Sequence, residues 1–195
     1  MRCQLNDIAQ IYYGPYEKAK IKGNIKYLVS SHFDELLEPS LFKESFVDTI
    51  KDAEKYILQT NDVIVTGKGQ RLFAWAYKEE FGKTIPSSLF YIIRLKNSTG
   101  IISEFLSITL NSERIIHKLK ALSGGTSIPS IQKKELEQLI INIPTLEKQK
   151  QVIELSKLLG KDVDLANQLL EKKKAIKTGL LNIAINQEIN ELNEQ

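Results

Sequence analysis

The 195 residues are 42% hydrophobic and 26% charged, with seven Tyr, seven Phe and one Trp, proportions that exclude wholesale disorder and low-complexity classes. The length allows one domain with an appendage or two small ones, and no apolar run approaches the roughly 18 residues of a bilayer span. Met1–Asp7 lacks the apolar core of a signal peptide, and Cys3 with only His32 and His117 beside it excludes a disulfide scaffold and structural zinc. A cytoplasmic location without a bound metal is expected.

The net charge of +3 is small, but its distribution is uneven. Residues 12–30 carry four lysines against one acid, residues 66–96 six basic residues against two acids, and residues 111–134 five against one. Residues 31–56 run the other way, with seven acids and three lysines. A polyanion would sense such loops within a Debye length of about 8–10 Å.

In chain order, residues 5–13 read as a short helical turn capped by Asn6 that passes into a strand and stops at Gly14-Pro15. Residues 26–30 are a short strand. Asn61-Asp62 is a turn followed by the β-branched run Val63-Ile64-Val65-Thr66, which breaks at Gly67-Lys68-Gly69 and resumes over residues 72–77, predicting a hairpin with a glycine-rich tip. Residues 88–95 form the clearest buried strand. Helical spacing starts near Ile102, with Phe105, Leu106, Ile108 and Leu110 on a side packed against a sheet, and a second amphipathic segment spans residues 112–122. Ser123-Gly124-Gly125-Thr126 ends it. A short helix over 133–139 and an edge strand over 140–143 precede Pro144.

From Thr145, a plausible N-cap, Leu, Lys, Glu and Gln dominate. Leu155, Leu158 or Leu159, Leu165, Leu169, Ile176, Leu180 and Ile183 recur near a seven-residue period, interrupted by Asp162 and Lys172. The predicted helix runs from Thr145 to about Thr178, on the order of 50 Å at 1.5 Å per residue, and its stripe calls for a partner helix.

Catalytic motifs are missing: the sequence holds no Walker loop, dinucleotide fingerprint, nucleophile elbow, metalloprotease helix, or Asn-Pro-Pro-Tyr segment. Enzymatic activity is not expected. His32 and His117 read as structural or exposed, and Cys3 as inert.

What remains is an order of parts: Leu5-Asn6-Asp7-Ile8-Ala9-Gln10-Ile11 leading to Gly14, then Asp62–Gly69, then Ile101–Leu106 with Leu110-Asn111-Ser112, the Ser123-Gly124-Gly125 turn, and Pro144-Thr145-Leu146-Glu147-Lys148-Gln149 opening a long helix. Over almost its whole length the chain resembles the DNA-specificity subunit of type I restriction and modification enzymes. The resemblance implies an α+β fold, with a mixed-sheet target recognition domain over 1–144 and a coiled-coil spacer helix and tail over 145–195. It also implies a non-catalytic subunit that reads double-stranded DNA and recruits methyltransferase subunits, and motor-nuclease subunits in the complete enzyme. No cofactor is expected in this chain; S-adenosylmethionine and ATP belong to the partner subunits. A full subunit of that family carries two readers and two helices paired antiparallel, and one reader with one helix reads as half of it. An antiparallel homodimer through Leu155, Leu158, Leu159, Leu165, Leu169, Ile176, Leu180 and Ile183 would then read a palindromic bipartite site. The alternatives are an incomplete subunit that only assembles with partners, and a recombination reservoir.

The resemblance does not supply base-reading residues, so these come from chemistry. Gln70 and Arg71 at the hairpin tip suit adenine and guanine edges, with Lys68 for phosphate. Lys18, Lys20 and Lys22 with Tyr16 form a second candidate loop, and Lys83 with Ser87 a third. Tyr16 and Trp75 are each read either as core aromatics or as stacking partners for a base.

Overall fold

The structure, a computed structural model, describes residues 1–34, 37, 39, 45–48, 52–97, 99–122 and 129–193, with side chains except those of 184 and 187–193. The fold is α+β, as expected. The Ser123–Thr126 turn lies outside the described residues.

Strand β1 (Arg2–Gln4) pairs antiparallel with β9 (Ile140–Asn142), so the first strand and the last close one small sheet. Helix α1 (Leu5–Ile8) follows at once. The Asp7 carboxylate accepts the Gln4 N–H at 2.8 Å, so this turn starts on Gln4 and Asp7, and the expected cap at Asn6 is corrected. Asn6 instead lends its backbone carbonyl to Lys96 Nζ at 3.0 Å.

The central sheet is antiparallel in the order β2 (Ala9–Tyr13), β8 (Phe90–Leu95), β5 (Asp62–Thr66), β6 (Ala74–Ala76). The predicted β5–β6 hairpin is present, with Ile64 opposite Trp75, and Asn61 takes the left-handed φ of 73° that the preceding turn needs. Both faces are covered, which is why β8 reads as a run of apolar residues from Phe90 to Ile93, interrupted only at Arg94 before Leu95. Val63, Val65, Ala74, Tyr91 and Ile93 face a layer of Leu5, Phe105, Leu106, Leu110, Leu119 and Leu136. Ile64, Phe73, Trp75, Phe90 and Ile92 face Leu28, Phe33 and Leu58. The first layer is built by α3 (Ser103–Leu110), α4 (Glu113–Leu122) and α5 (Lys133–Glu137), where helical spacing placed them.

The third sheet, β4 (Phe46–Val47), β3 (Ile25–Leu28) and β7 (Thr84–Pro86), is mixed: β3 runs antiparallel to β4 and parallel to β7. Beside it, the short helix α2 (Ala53–Tyr56) adds Ala53 to Ile25, Tyr27, Val47 and Ile85.

Two polar side chains do the work of missing backbone partners. Asn111, just after α3, accepts from Ala74 N and donates to Ala74 O, both at 2.8 Å, so it stands in for a neighbouring strand at the free edge of β6. Gln149 is fully buried; its Oε1 accepts from Ile102 N at 2.9 Å, and its Nε2 donates to Gly100 O at 3.0 Å and Pro144 O at 3.1 Å.

The chain divides into two compact units, Met1–Ile153 and Glu154–Gln195, and helix α6 (Leu146–Asn193) contributes to both. In the first, Thr145 Oγ1 caps Lys148 N at 3.4 Å, as predicted, and Gln149 and Ile153 are buried. In the second, α6 runs on to Asn193, beyond the expected end near Thr178. At 1.5 Å per residue its 48 residues span about 70 Å.

Candidate nucleic-acid interface

One end of the central sheet gathers two of the three candidate loops on a common seat, the segment from Pro86 to Phe90. Gly14 N donates to Phe90 O at 2.9 Å and Gly67 N to Leu89 O at 2.7 Å. Both glycines are required by crowding. A Cβ on Gly14 would lie 2.2 Å from Ser87 O, and one on Gly67 would lie 2.5 Å from the Tyr91 ring.

The first loop leaves the sheet after Tyr13 and is tied down at its base, where Tyr27 Oη donates to Pro15 O at 3.0 Å and accepts from Glu17 N at 3.1 Å. Burial and the Glu17 charge push the Tyr27 hydroxyl above its usual range despite the Glu17 amide, which favours ionisation. Tyr16 is 86% exposed, so the core alternative for this residue falls away. Lys18, Lys20 and Lys22 are exposed. Lys20 exchanges backbone hydrogen bonds with Phe46 and pairs with Asp48, which draws that part of the loop to the edge of the mixed sheet.

The hairpin tip is held as well. Lys68 bridges Ser130, Gly69 N donates to Pro129 O at 3.0 Å, and Ile131 N donates to Gly67 O at 2.8 Å. Lys68 and Gln70 are exposed. Arg71 is engaged: its guanidinium donates to Phe33 O at 3.0 Å and to Asp34 O, and lies 5.2 Å from the Phe73 ring centroid. It fastens the chain after β3 to the hairpin.

The third pair separates. Ser87 is buried on the common seat, its Oγ without a hydrogen-bond partner among the described residues, whereas exposed Lys83 stands just before β7, where its carbonyl accepts from Lys26 N. Trp75 is a core residue at 4% exposure, packed edge-on against Phe33, Tyr77 and Phe81.

Sequence reasoning missed Tyr13, the last residue of β2, 49% exposed at the base of the first loop. It lies opposite Tyr91 of β8, with ring centroids 4.6 Å apart and hydroxyl oxygens at 3.1 Å. The Tyr91 hydroxyl also reaches Ile131 O at 2.6 Å. Burial first, and then the charges of Glu135 and Glu137, keep Tyr91 protonated far above the usual tyrosine range. The available signal was an aromatic at the last strand position before Gly14-Pro15.

A cleft of about 190 Å³ on the helical side collects Arg2, Arg114 and Lys118 with Thr109 and Ser112. Two of these cations come from the basic stretch 111–134, and Arg2 is brought to them by the β1–β9 pairing. Among the described residues no group of His, Cys, Asp and Glu has a metal-holding arrangement, and no helix is long and apolar enough to cross a membrane. Burial and the Asp7 charge raise the Cys3 thiol above its usual range, which disfavours the thiolate. The residues assigned to the stripe are all exposed in this chain, from Leu158 and Leu169 at 54% to Leu180 at 63%.

The family model of the type I restriction modification DNA specificity domain matches residues 2–175. The MjaVIII type I restriction enzyme specificity subunit of Methanocaldococcus jannaschii is 29% identical over 181 residues, covering 85% of this chain and 41% of its own. Among solved structures, the S subunit of a type I restriction-modification system from M. genitalium superposes with a TM-score of 0.59 at 15% identity, covering 88% of this chain and 41% of its own. The HsdS subunit from Thermoanaerobacter tengcongensis gives 0.58 at 14% identity, covering 85% and 38%. The chain spans about two-fifths of the length of these relatives.

Proposed function

The chain belongs to the type I restriction modification DNA specificity domain family, and from that membership we propose that it is a non-catalytic reader of double-stranded DNA that works as an antiparallel homodimer. Lys18, Lys22, Lys68 and the Arg2, Arg114, Lys118 cleft supply phosphate contacts, which give salt-dependent and sequence-blind affinity. Gln70 and Tyr16 at the sheet end are the groups offered to bases, and Arg71 holds the hairpin in place. The dimer recruits methyltransferase subunits, which bring S-adenosylmethionine, and motor-nuclease subunits, which use ATP.

The observation that carries the two-fold arrangement is the uncovered seam of α6. Leu155, Asp162, Leu169, Ile176 and Ile183 occupy one heptad position, and Leu158, Leu165, Lys172 and Gly179 the position three residues on. In an antiparallel pair these two positions meet each other. One register sets Asp162 against the second copy's Lys172, Leu165 against Leu169, Leu158 against Ile176 and Leu155 against Gly179, and symmetry repeats each layer. Sliding by one heptad either way puts Asp162 against Leu165 or Gly179 and Lys172 against Leu155 or Leu169, leaving unpaired charges in an apolar seam. Charge matching therefore favours a single register, with Leu159 and Leu180 flanking it.

Selection from a pool of random duplexes, by the chain alone and with a methyltransferase subunit added, tests the reading. Two inverted half-sites with a fixed gap are expected. Enrichment of no sequence under either condition would reject it, and a monomer of 22.2 kDa by light scattering would instead favour a chain that only assembles with partners.

A further inference from the structure

Resting on the DNA-reading function proposed above, we infer that Tyr13 is a specificity-determining residue that accepts a hydrogen bond from the exocyclic amino group of an adenine or cytosine. The inference comes from counting protons at the sheet end. Tyr91 has one hydroxyl hydrogen, and the Ile131 carbonyl 2.6 Å away can only accept, so that hydrogen is committed to Ile131. The contact of 3.1 Å between the two tyrosine oxygens then requires Tyr13 to donate to Tyr91. Tyr13 keeps acceptor lone pairs and has no hydrogen left for a ligand.

The surroundings decide what such an acceptor can meet. Tyr13 is 49% exposed beside Gly14, where the loop carrying Lys18 and Lys22 begins, and its ring partner Tyr91 lies against Gly67 at the base of the tip carrying Lys68, so lysines of both loops are available to the phosphates of a bound duplex. Phosphate oxygens only accept, and they repel an acceptor-only hydroxyl. In the major groove the donors are the amino groups of adenine N6 and cytosine N4, while guanine and thymine present acceptors on the same strand. Tyr13 is also held still: its ring rests on Tyr91 at 4.6 Å, and Tyr91 is pinned to the segment that anchors the hairpin. A fixed acceptor discriminates between bases, where a mobile one would adapt.

The test is selection and competition binding with the full chain, comparing wild type, Tyr13→Phe and Tyr91→Phe. In wild type, one position of each half-site should be restricted to adenine or cytosine on one strand, and placing guanine or thymine there should weaken binding about five- to tenfold, the scale of one hydrogen bond lost beside an unmet acceptor. Tyr13→Phe keeps the ring and should bring that ratio to about one, leaving the other positions unchanged. Tyr91→Phe frees the Tyr13 proton and should let guanine and thymine compete at the same position. An unchanged base profile in Tyr13→Phe overturns the inference and leaves DNA reading standing. Wild type that enriches no sequence removes both. If Tyr91→Phe does not fold, the exposed Tyr13→Phe decides alone.

Discussion

Asp62 of β5 and Arg94 of β8 stand directly opposite one another in the central sheet and form a two-pronged ion pair, Nε to Oδ1 at 3.0 Å and Nη2 to Oδ2 at 2.8 Å. The carboxylate is fully buried, and its remaining capacity is met by Gln59 N at 2.9 Å, while Arg94 Nη2 also donates to Ile57 O at 2.9 Å. The bond to Asp62 raises the Arg94 guanidinium further above its ordinary value, against the effect of burial. Removing one partner leaves the other charge without compensation inside the protein. Asp62→Ala should therefore cost about 3–5 kcal/mol in urea unfolding, whereas Asp62→Leu with Arg94→Met should recover most of it. A double variant as unstable as the single one would contradict this account.

Gln149 explains why a glutamine sits in the second turn of α6. It answers two carbonyls and one amide that α3 and the start of α6 leave open, and all three are lost together in Gln149→Ala. The expected loss is about 2–4 kcal/mol, with Gln149→Glu comparably harmful because a carboxylate cannot donate to Gly100 O and Pro144 O. Thermal melting of the two variants checks it; a change under about 0.5 kcal/mol would place the importance of the residue elsewhere.

Arg71→Ala should destabilise the fold by about 1–2 kcal/mol, because two carbonyls and a ring contact lose their partner, and Lys68→Ala should leave stability unchanged. Lys68→Ala should instead lower affinity for all duplexes alike and reduce the salt slope by about one. Chemical denaturation with fluorescence titration separates the two residues.

Tyr27, Tyr77 and Tyr91 all titrate above the ordinary tyrosine value of 10.0, burial being the first cause for each. A folded-state value raised above the unfolded one means that the native state holds protons the unfolded chain would release. Their contribution is complete below pH 10 and falls as pH rises past it. Melting temperature between pH 8 and 11.5 should decline above about pH 10, and Tyr91→Phe should soften that decline. A flat profile would show that these hydroxyls ionise without opposing the fold.

Much of this architecture was legible because local periodicity and burial agree. The β5–β6 hairpin, the β8 strand, the α3 and α4 spacing and the Thr145 cap follow from alternation, turn chemistry and capping. Long-range pairings were not legible: nothing local in Arg2–Gln4 announces a strand that pairs with Ile140–Asn142, and the parallel β3–β7 contact joins segments far apart in sequence. The same limit applies to the candidate site. Arg71 has the chemistry of a guanine reader, but its carbonyl partners lie 37 and 38 residues earlier in the chain. Ser87 has a hydroxyl of the right kind, and the approach of Gly14 to its carbonyl is part of what buries it.

The seam of α6 makes a prediction about charge. Asp162→Lys should weaken self-association, as should Lys172→Asp, and the double exchange should restore it, because the proposed register would join these two positions across the symmetry axis. Sedimentation equilibrium reads this directly; a double exchange no better than either single variant would exclude the register. Leu165→Glu with Leu169→Glu should give a folded monomer with unchanged circular dichroism in the sheet region.

The most direct measurement of the central claim is a genome-wide map of methylated bases in cells that carry this chain together with a methyltransferase subunit. Methylation confined to an inverted bipartite sequence with one fixed gap, and lost with Leu165→Glu and Leu169→Glu, is the predicted result. Methylation at an asymmetric sequence, or at a site that survives those two changes, would contradict a reader paired with its own copy.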